Sequence, residues 1–178
     1  MASIREIIGE RISREMKVEH DAHVSFAEMV TPAFIGGIII GIILGIPGLN
    51  LLIPLAAIGG YYSVGLVREY YEKYITEHDA FKVGVFAGFI GAFIGTAIML
   101  IIAVFYGDST AIFFRSIMDY RTADVILTLS GIDPYLSLST LKLRLIANLA
   151  IGIGMGAIGG GYFIKREMEK EYNESFRD

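Results

Sequence analysis

The sequence predicts an all-α, polytopic membrane protein with four transmembrane helices, and two observations support this fold class. Hydrophobic residues make up 54% of the 178-residue chain, against about 45–50% in soluble globular domains. Charged residues and histidine are also missing from three long stretches, residues 29–67, 83–107 and 145–164. Runs of about 20 apolar residues are typical of helices that cross a bilayer. The first stretch is long enough for two such helices, and each of the others for one.

The membrane bundle is predicted to occupy residues 25–178, with spans at about 26–46, 51–67, 83–106 and 145–164. Pro32 is expected to interrupt the first span. Pro54 falls in the first turn of the second span, where a missing N–H group costs least. Between these spans, residues 46–50 (IPGLN) predict a tight turn, which makes the two spans a helical hairpin.

Residues 1–24 are predicted to form an amphipathic helix on the cytoplasmic side or in the membrane interface. Ser3 and Glu6 have the spacing of a capping box. Apolar residues recur on one face at helical spacing, at Ile4, Ile7, Ile8, Ile12 and Met16. Such a helix lies on the inner leaflet or packs against protein, and its mixed charges favour neither location. A second capping box, Ser25 with Glu28, marks the start of the first span.

A long outer segment, residues 107–144, is not simply polar. Residues 109–120 (STAIFFRSIMDY) and 122–131 (TADVILTLSG) carry enough large apolar side chains for two short interfacial helices. Asp133 and Pro134 predict a turn before the fourth span. We expect the two helices to cover the outer face. A re-entrant loop is the less favoured alternative, because irregular backbone cannot face lipid.

Basic residues predict a multi-pass protein of the cell membrane with both termini in the cytoplasm. With this orientation, eleven Lys and Arg residues lie in the inner segments and four in the outer segment. The cytoplasmic side of membrane proteins carries the excess of these residues. The four outer residues are Arg115, Arg121, Lys142 and Arg144.

Glycine recurs at four-residue intervals within the spans, which predicts faces for close helix packing. A residue at every fourth position forms a nearly straight stripe along a helix, and a glycine stripe lets a second backbone approach. In lipid, the dispersion contacts between closely packed backbones are a main source of helix association. The predicted glycine-zipper positions are Gly37, Gly41, Gly45, Gly60, Gly84, Gly88, Gly91, Gly95, Gly152, Gly156 and Gly160.

Gly154, Gly156 and Gly159 also match the Gly-x-Gly-x-x-Gly fingerprint of dinucleotide-binding loops. That loop requires a strand before it and a βαβ unit around it. Here the motif lies in an uninterrupted apolar run without a strand pattern. Helix packing is therefore favoured over nucleotide binding, and no cofactor is expected.

Two segments resemble an internal repeat. Residues 57–62 (AIGGYY) and 157–162 (AIGGGY) agree at five of six positions, and a charged extension follows each, at residues 68–74 and 166–172. The similarity predicts two hairpins of the same orientation, related by an axis along the membrane normal. The offset changes from 100 to 98 residues between the two matches. Chance similarity in Gly-, Ala- and Ile-rich sequence is the alternative.

The turn at residues 46–48 (IPG), the AIGGYY segment and the glycine-spaced third span resemble a loose archaeal group of small, glycine-rich, four-helix membrane proteins of unknown function. The resemblance covers roughly residues 30–105. It implies a four-span fold and no particular activity. The absence of Gln and Cys, together with plentiful charged residues, also indicates a thermophilic source.

Ionisable residues within spans usually mark ion-coupled transport, and the three uncharged stretches contain none. The notable polar residues at depth are Thr31, Ser63, Thr96 and Asn148. Thr96 and Asn148 are expected to form a hydrogen bond between helices. That structural role is favoured over a role in permeation.

The sequence gives little support for a metal or catalytic site. His20 and His23, spaced i,i+3 beside Glu19, are weak candidates for metal ligands, and a solvated linker is the favoured interpretation. No catalytic residue set is recognisable, and cysteine is absent. The net charge of −4 argues against nucleic-acid binding.

The sequence therefore predicts a non-enzymatic helix bundle. Its partners would be the lipid bilayer and either a second copy of the chain or another membrane protein. A passive homo-oligomeric channel or small permease is the alternative, although no polar or charged residue is expected to form a ring along a pore. An intramembrane enzyme, or a subunit of one, is a third class without a visible catalytic set.

Overall fold

The computed structural model describes residues 24–71, 75–130 and 138–175, and every regular element in these ranges is helical. The prediction of an all-α fold is confirmed for this part of the chain. Of the helix predicted at residues 1–24, only Val24 falls within it. The α-helices are α1 (Phe26–Gly45), α2 (Ala57–Tyr71), α3 (Glu77–Ile117), α4 (Tyr120–Ser130) and α5 (Leu138–Ser175).

Three helical ranges are long and apolar enough to cross a membrane: Phe26–Gly45, Glu77–Tyr106 and Leu141–Lys170. They correspond to the first, third and fourth predicted spans and are compatible with a membrane protein. The second predicted span is divided between short 3-10 helices, Leu49–Leu51 and Ile53–Ala56, and the 15-residue helix α2.

α1 begins at the predicted capping box, which is confirmed. The Glu28 N–H donates to the Ser25 hydroxyl at 3.4 Å, and the Ser25 N–H donates to the Glu28 carboxylate at 2.8 Å. The helix continues through Pro32, so the expected interruption is wrong. Pro32 is fully buried, and packing around a proline within a bundle holds the helix together despite one missing hydrogen bond.

The tight turn predicted after α1 is also confirmed. Gly48 has a φ of 88°, which is a left-handed conformation that glycine adopts at little cost because it lacks a Cβ atom. Pro54 lies in the first turn of the 3-10 helix that leads into α2, as expected. The reversal lets α2 pack back along α1.

α3 is one continuous helix of 41 residues. The sequence interpretation ended the third span at residue 106 and placed a separate interfacial helix at residues 109–120, and this division is wrong. The polar residues after Tyr106 mark the end of the apolar stretch, but none is a proline and none breaks the helix. The second predicted outer helix corresponds to α4. α5 begins at Leu138, before the predicted start at residue 145.

Burial follows a four-residue period in the two helices that pack in parallel, α1 and α3. Adjacent buried pairs occur at residues 32–33, 36–37, 40–41 and 44–45 of α1, and at 79–80, 83–84, 87–88, 91–92 and 95–96 of α3. A straight α-helix repeats every 3.6 residues. A stripe that repeats every four residues drifts by only about 40° per repeat, so it winds slowly around the helix and predicts right-handed crossings between neighbours.

The helices form a bundle in which α3 packs against both α1 and α5, and α2 packs against α1, α5 and, less extensively, α3. One apolar cluster includes Val64, Val83 and Phe163, and a second is centred on Ile40 and Ala87. Both clusters draw residues from several helices, so the bundle has a shared interior.

Candidate functional site

α3 and α5 approach each other backbone to backbone. A Cβ atom placed on Gly152 would lie 2.6 Å from the carbonyl oxygen of Gly88. Gly84 and Gly156 stand in the same relation to each other, and Gly160 faces the α3 backbone one turn further along. Real Cβ atoms essentially never come within 3.0 Å of a heavy atom. Each of these positions therefore accepts only glycine unless a helix moves.

Gly156 lies where three helices meet. A Cβ atom on Gly60 of α2 or on Gly84 of α3 would lie within 3.0 Å of the Gly156 carbonyl oxygen. One added methyl group at any of the three positions would therefore separate two helices. Of the three stripe glycines of α5, Gly152, Gly156 and Gly160, Gly156 leaves the least room for a Cβ atom.

α1 and α3 pack in a different way, because glycines of each helix face large aliphatic side chains of the other. A Cβ atom on Gly41 would lie 2.6 Å from Ile94 Cγ2. The complete set of pairs is Gly37 with Ile90, Gly41 with Ile94, Gly45 with Ile98, Gly91 with Ile40, and Gly95 with Leu44. All eleven glycines singled out from the sequence thus lie at contacts between helices.

Three further glycines lie so close to another helix that a Cβ atom would not fit: Gly36, Gly59 and Gly159. Helix packing was predicted for Gly159 within the Gly-x-Gly-x-x-Gly motif and, more weakly, for Gly59 from its four-residue spacing to Ser63, whereas Gly36 was missed. Each is the first member of a Gly-Gly pair, and the two members face different helices. Gly36 faces Ser63 of α2 whereas Gly37 faces α3, and Gly159 faces Ala57 of α2 whereas Gly160 faces α3. The Gly-Gly doublet in the sequence was the available signal for these contacts. Neighbouring positions lie about 100° apart on a helix, so the two glycines of a doublet can face different helices. By contrast, a Cβ atom on Gly154 or Gly161 would meet nothing within 4 Å.

Thr96 and Asn148 are brought together between α3 and α5. The Asn148 Nδ2 group donates to Thr96 Oγ1 at 3.0 Å, and Thr96 Oγ1 donates to the Ala92 carbonyl oxygen at 2.8 Å. The hydroxyl thereby uses its hydrogen within its own helix and accepts from the neighbouring helix. Ser63 behaves similarly, since its hydroxyl donates to the Gly59 carbonyl oxygen at 2.9 Å.

Asp79 is a buried carboxylate at the start of α3 that the sequence analysis did not single out. Its side chain is 1% exposed. Thr76 Oγ1 donates to Asp79 Oδ2 at 2.9 Å and accepts from the Asp79 N–H at 3.2 Å, while Lys82 Nζ lies 3.4 Å from Oδ1. The Thr-x-x-Asp spacing resembles a capping box, and this geometry gives Asp79 a role in fixing the helix start.

Polar side chains connect α2 to α5 beyond the glycine contacts. Glu167 pairs with Arg68 and, at 2.6 Å, with Lys170. Arg166 donates to the Tyr61 hydroxyl at 2.7 Å, and its guanidinium carbon lies 5.9 Å from the centre of the Tyr61 ring. These pairs form a charged and aromatic rim where the two helices leave the glycine-packed region.

Two open grooves adjoin the bundle. The α2–α5 groove, of about 460 Å³, has the aromatic residues Tyr61, Tyr62 and Phe163 along one part and Arg68, Glu69 and Glu167 at one end. A second groove, of about 420 Å³, lies between the turn at Ile46–Pro47 and the outer part of α3. The first combines apolar and charged groups, whereas the second is mainly apolar.

The structure gives no support to metal or nucleotide binding within the part of the chain it describes. No group of three or more His, Asp or Glu side chains there is arranged to hold a metal ion. The weak metal candidates His20 and His23 lie outside the described residues. The Gly-x-Gly-x-x-Gly motif lies inside α5 rather than in a loop after a strand, so its amides already serve the helix.

Comparison with known proteins found no match among family models, curated proteins or solved structures. The resemblance to the archaeal four-helix group therefore rests on the sequence patterns alone.

Proposed function

We propose that the chain is a four-span integral membrane protein without enzymatic activity, whose helix bundle associates with a second copy or with another membrane protein. The three-helix junction at Gly156 joins α2, α3 and α5 of one chain through backbone contacts and carries the helix-bundle part of this proposal, whereas the sparsely buried apolar window of α5 carries the association part. The buried polar residues of the described chain support the helix-bundle part further, because Ser63 and Thr96 donate to carbonyl groups of their own helices and Asp79 binds Thr76. Such an interior is suited to holding helices together.

The length of the second predicted span supports four crossings. Within the predicted span, the four residues of the second 3-10 helix, at about 2.0 Å each, and the eleven uncharged residues 57–67 of α2, at about 1.5 Å each, together measure about 25 Å. That length approaches the hydrocarbon thickness of a bilayer, about 30 Å, and local thinning of the bilayer accommodates the difference. Ile58 and Tyr62 on α2 are also exposed, as expected for side chains that face lipid.

The two hairpins, α1–α2 and α3–α5, are proposed as repeats on the sequence match alone. The Gly-Gly pairs at 59–60 and 159–160 each contact two neighbouring helices, which favours the proposal. Their neighbours are not equivalent, however, since Gly59 faces α1 whereas Gly159 faces α2. The repeat would then be present in the sequence, whereas the matching glycines of the two copies would contact helices that are not equivalent.

The distribution of exposed surface supports a partner for α5. Large apolar side chains such as Phe34, Ile38, Phe89 and Phe93 are exposed on α1 and α3, which suits direct contact with lipid tails. Only 11% of the apolar window in α5 is buried, against 44% in α1 and 39% in the corresponding part of α3. A partner helix would therefore cover the helix whose apolar window is the least buried of the three.

The channel alternative requires several copies of the chain. The contacts among Gly60, Gly84 and Gly156 close the space between α2, α3 and α5, so a pore would have to form between protomers. The number of copies in the assembly, measured from its mass, therefore tests both the proposed association and the channel alternative.

Light scattering of the protein in mild detergent, combined with cross-linking in the native membrane, tests the proposal. We expect a homo-oligomer or a specific cross-linked membrane protein. A monomer in detergent that also yields no cross-linked product in the membrane would overturn the proposal and the channel alternative together. A closed ring of copies that conducts ions or small solutes in liposomes would favour the channel.

A further inference from the structure

We draw no further inference here: the strongest candidate, the outward face of α5 with Ala147, Ala150, Gly154 and Gly161, is a stripe of small residues on which a Cβ atom added to either glycine would meet nothing within 4 Å, and nothing in the structure shows what covers it.

Discussion

Gly84 of α3 and Gly156 of α5 face each other so closely that neither position has room for a Cβ atom, since one built on either residue would lie within 3.0 Å of the other's carbonyl oxygen. The relationship is reciprocal, so the contact cannot be relieved by moving one side chain. Only a displacement of a whole helix makes room. Gly60 of α2 shares the same carbonyl oxygen, and such a displacement would disturb a third helix as well.

The first prediction tests this contact with Gly156→Ile and Gly154→Ile. Isoleucine is a better helix former than glycine, so loss of helix propensity cannot explain a lower stability. Overpacking typically costs about 1–3 kcal/mol, and we expect Gly156→Ile to lower the thermal midpoint in detergent or to dissociate an oligomer. Gly154→Ile, where a Cβ atom meets nothing within 4 Å, should be milder. Equal melting curves for both variants and the parent protein would refute the packing role.

The second prediction concerns the hydrogen bond between Asn148 and Thr96. Interhelical hydrogen bonds in membrane proteins average about 0.6 kcal/mol, so a double-mutant cycle with Asn148→Ala and Thr96→Val should give a coupling energy of about that size. Denaturant titration in mixed micelles measures the four stabilities. Ser63→Ala combined with Asn148→Ala is the control, because Ser63 donates to its own helix and should show no coupling. A coupling of zero between Asn148 and Thr96 would show that the bond does not form in lipid.

The third prediction addresses topology with two cysteines at opposite ends of α3, made possible by the absence of native cysteine. Glu77 and Ser109 are both exposed, and 32 residues of helix between them extend about 48 Å. In intact cells an impermeant thiol reagent should label Ser109→Cys and leave Glu77→Cys unlabelled until the membrane is permeabilised. Labelling of both positions in intact cells would show that α3 does not cross the membrane.

The fourth prediction concerns pH and the start of α4. The Asp119 carboxylate accepts from the Thr122 hydroxyl, from the Thr122 N–H at 3.0 Å and from the Arg121 N–H at 3.1 Å. The hydrogen bonds from Thr122, with the hydroxyl as the larger cause, lower the pKa of Asp119. Because the pKa of Asp119 is lower in the folded state, the stability that its hydrogen bonds contribute is fully present above the pKa that Asp119 has in the unfolded chain. It is lost as the pH falls through the lowered folded value.

We therefore expect the Thr122 amide resonance to titrate with a midpoint below that of an ordinary exposed aspartate. Asp119→Asn keeps an oxygen acceptor for the cap but carries no titrating charge, and its spectrum should show no such inflection. A midpoint at or above the ordinary aspartate value in the parent protein would contradict the capping geometry.

The glycine contacts and the Thr96–Asn148 pair could be anticipated from sequence because their signals are local. A four-residue glycine period is visible within a single helix, and an isolated polar residue in an apolar run needs a partner in lipid. The partner of each stripe was not predictable in this way. Which helix faces Gly37 or Gly156 depends on how all the helices are arranged, and short-range periodicity carries no information on that arrangement.

The end of α3 shows a different limit. The apolar stretch ends at Gly107 and the sequence interpretation ended the third span at Tyr106, although the helix continues to Ile117. Polarity marks where a helix leaves an apolar environment, whereas helix termination depends on proline, on caps and on competing backbone hydrogen bonds. The α2–α5 groove was missed for a related reason, because its walls come from residues about 100 positions apart in the chain.

The unequal lengths of α1 and α3 have a consequence for the surrounding membrane. The uncharged part of α1, residues 29–45, measures about 26 Å, slightly less than the hydrocarbon thickness of a typical bilayer, about 30 Å. The uncharged part of α3, residues 83–107, measures about 37 Å. Hydrophobic mismatch of about 7 Å on one side of the protein requires α3 to tilt or the adjacent lipid to stretch. The chain would thus deform the bilayer unevenly and favour thicker membranes on its α3 side.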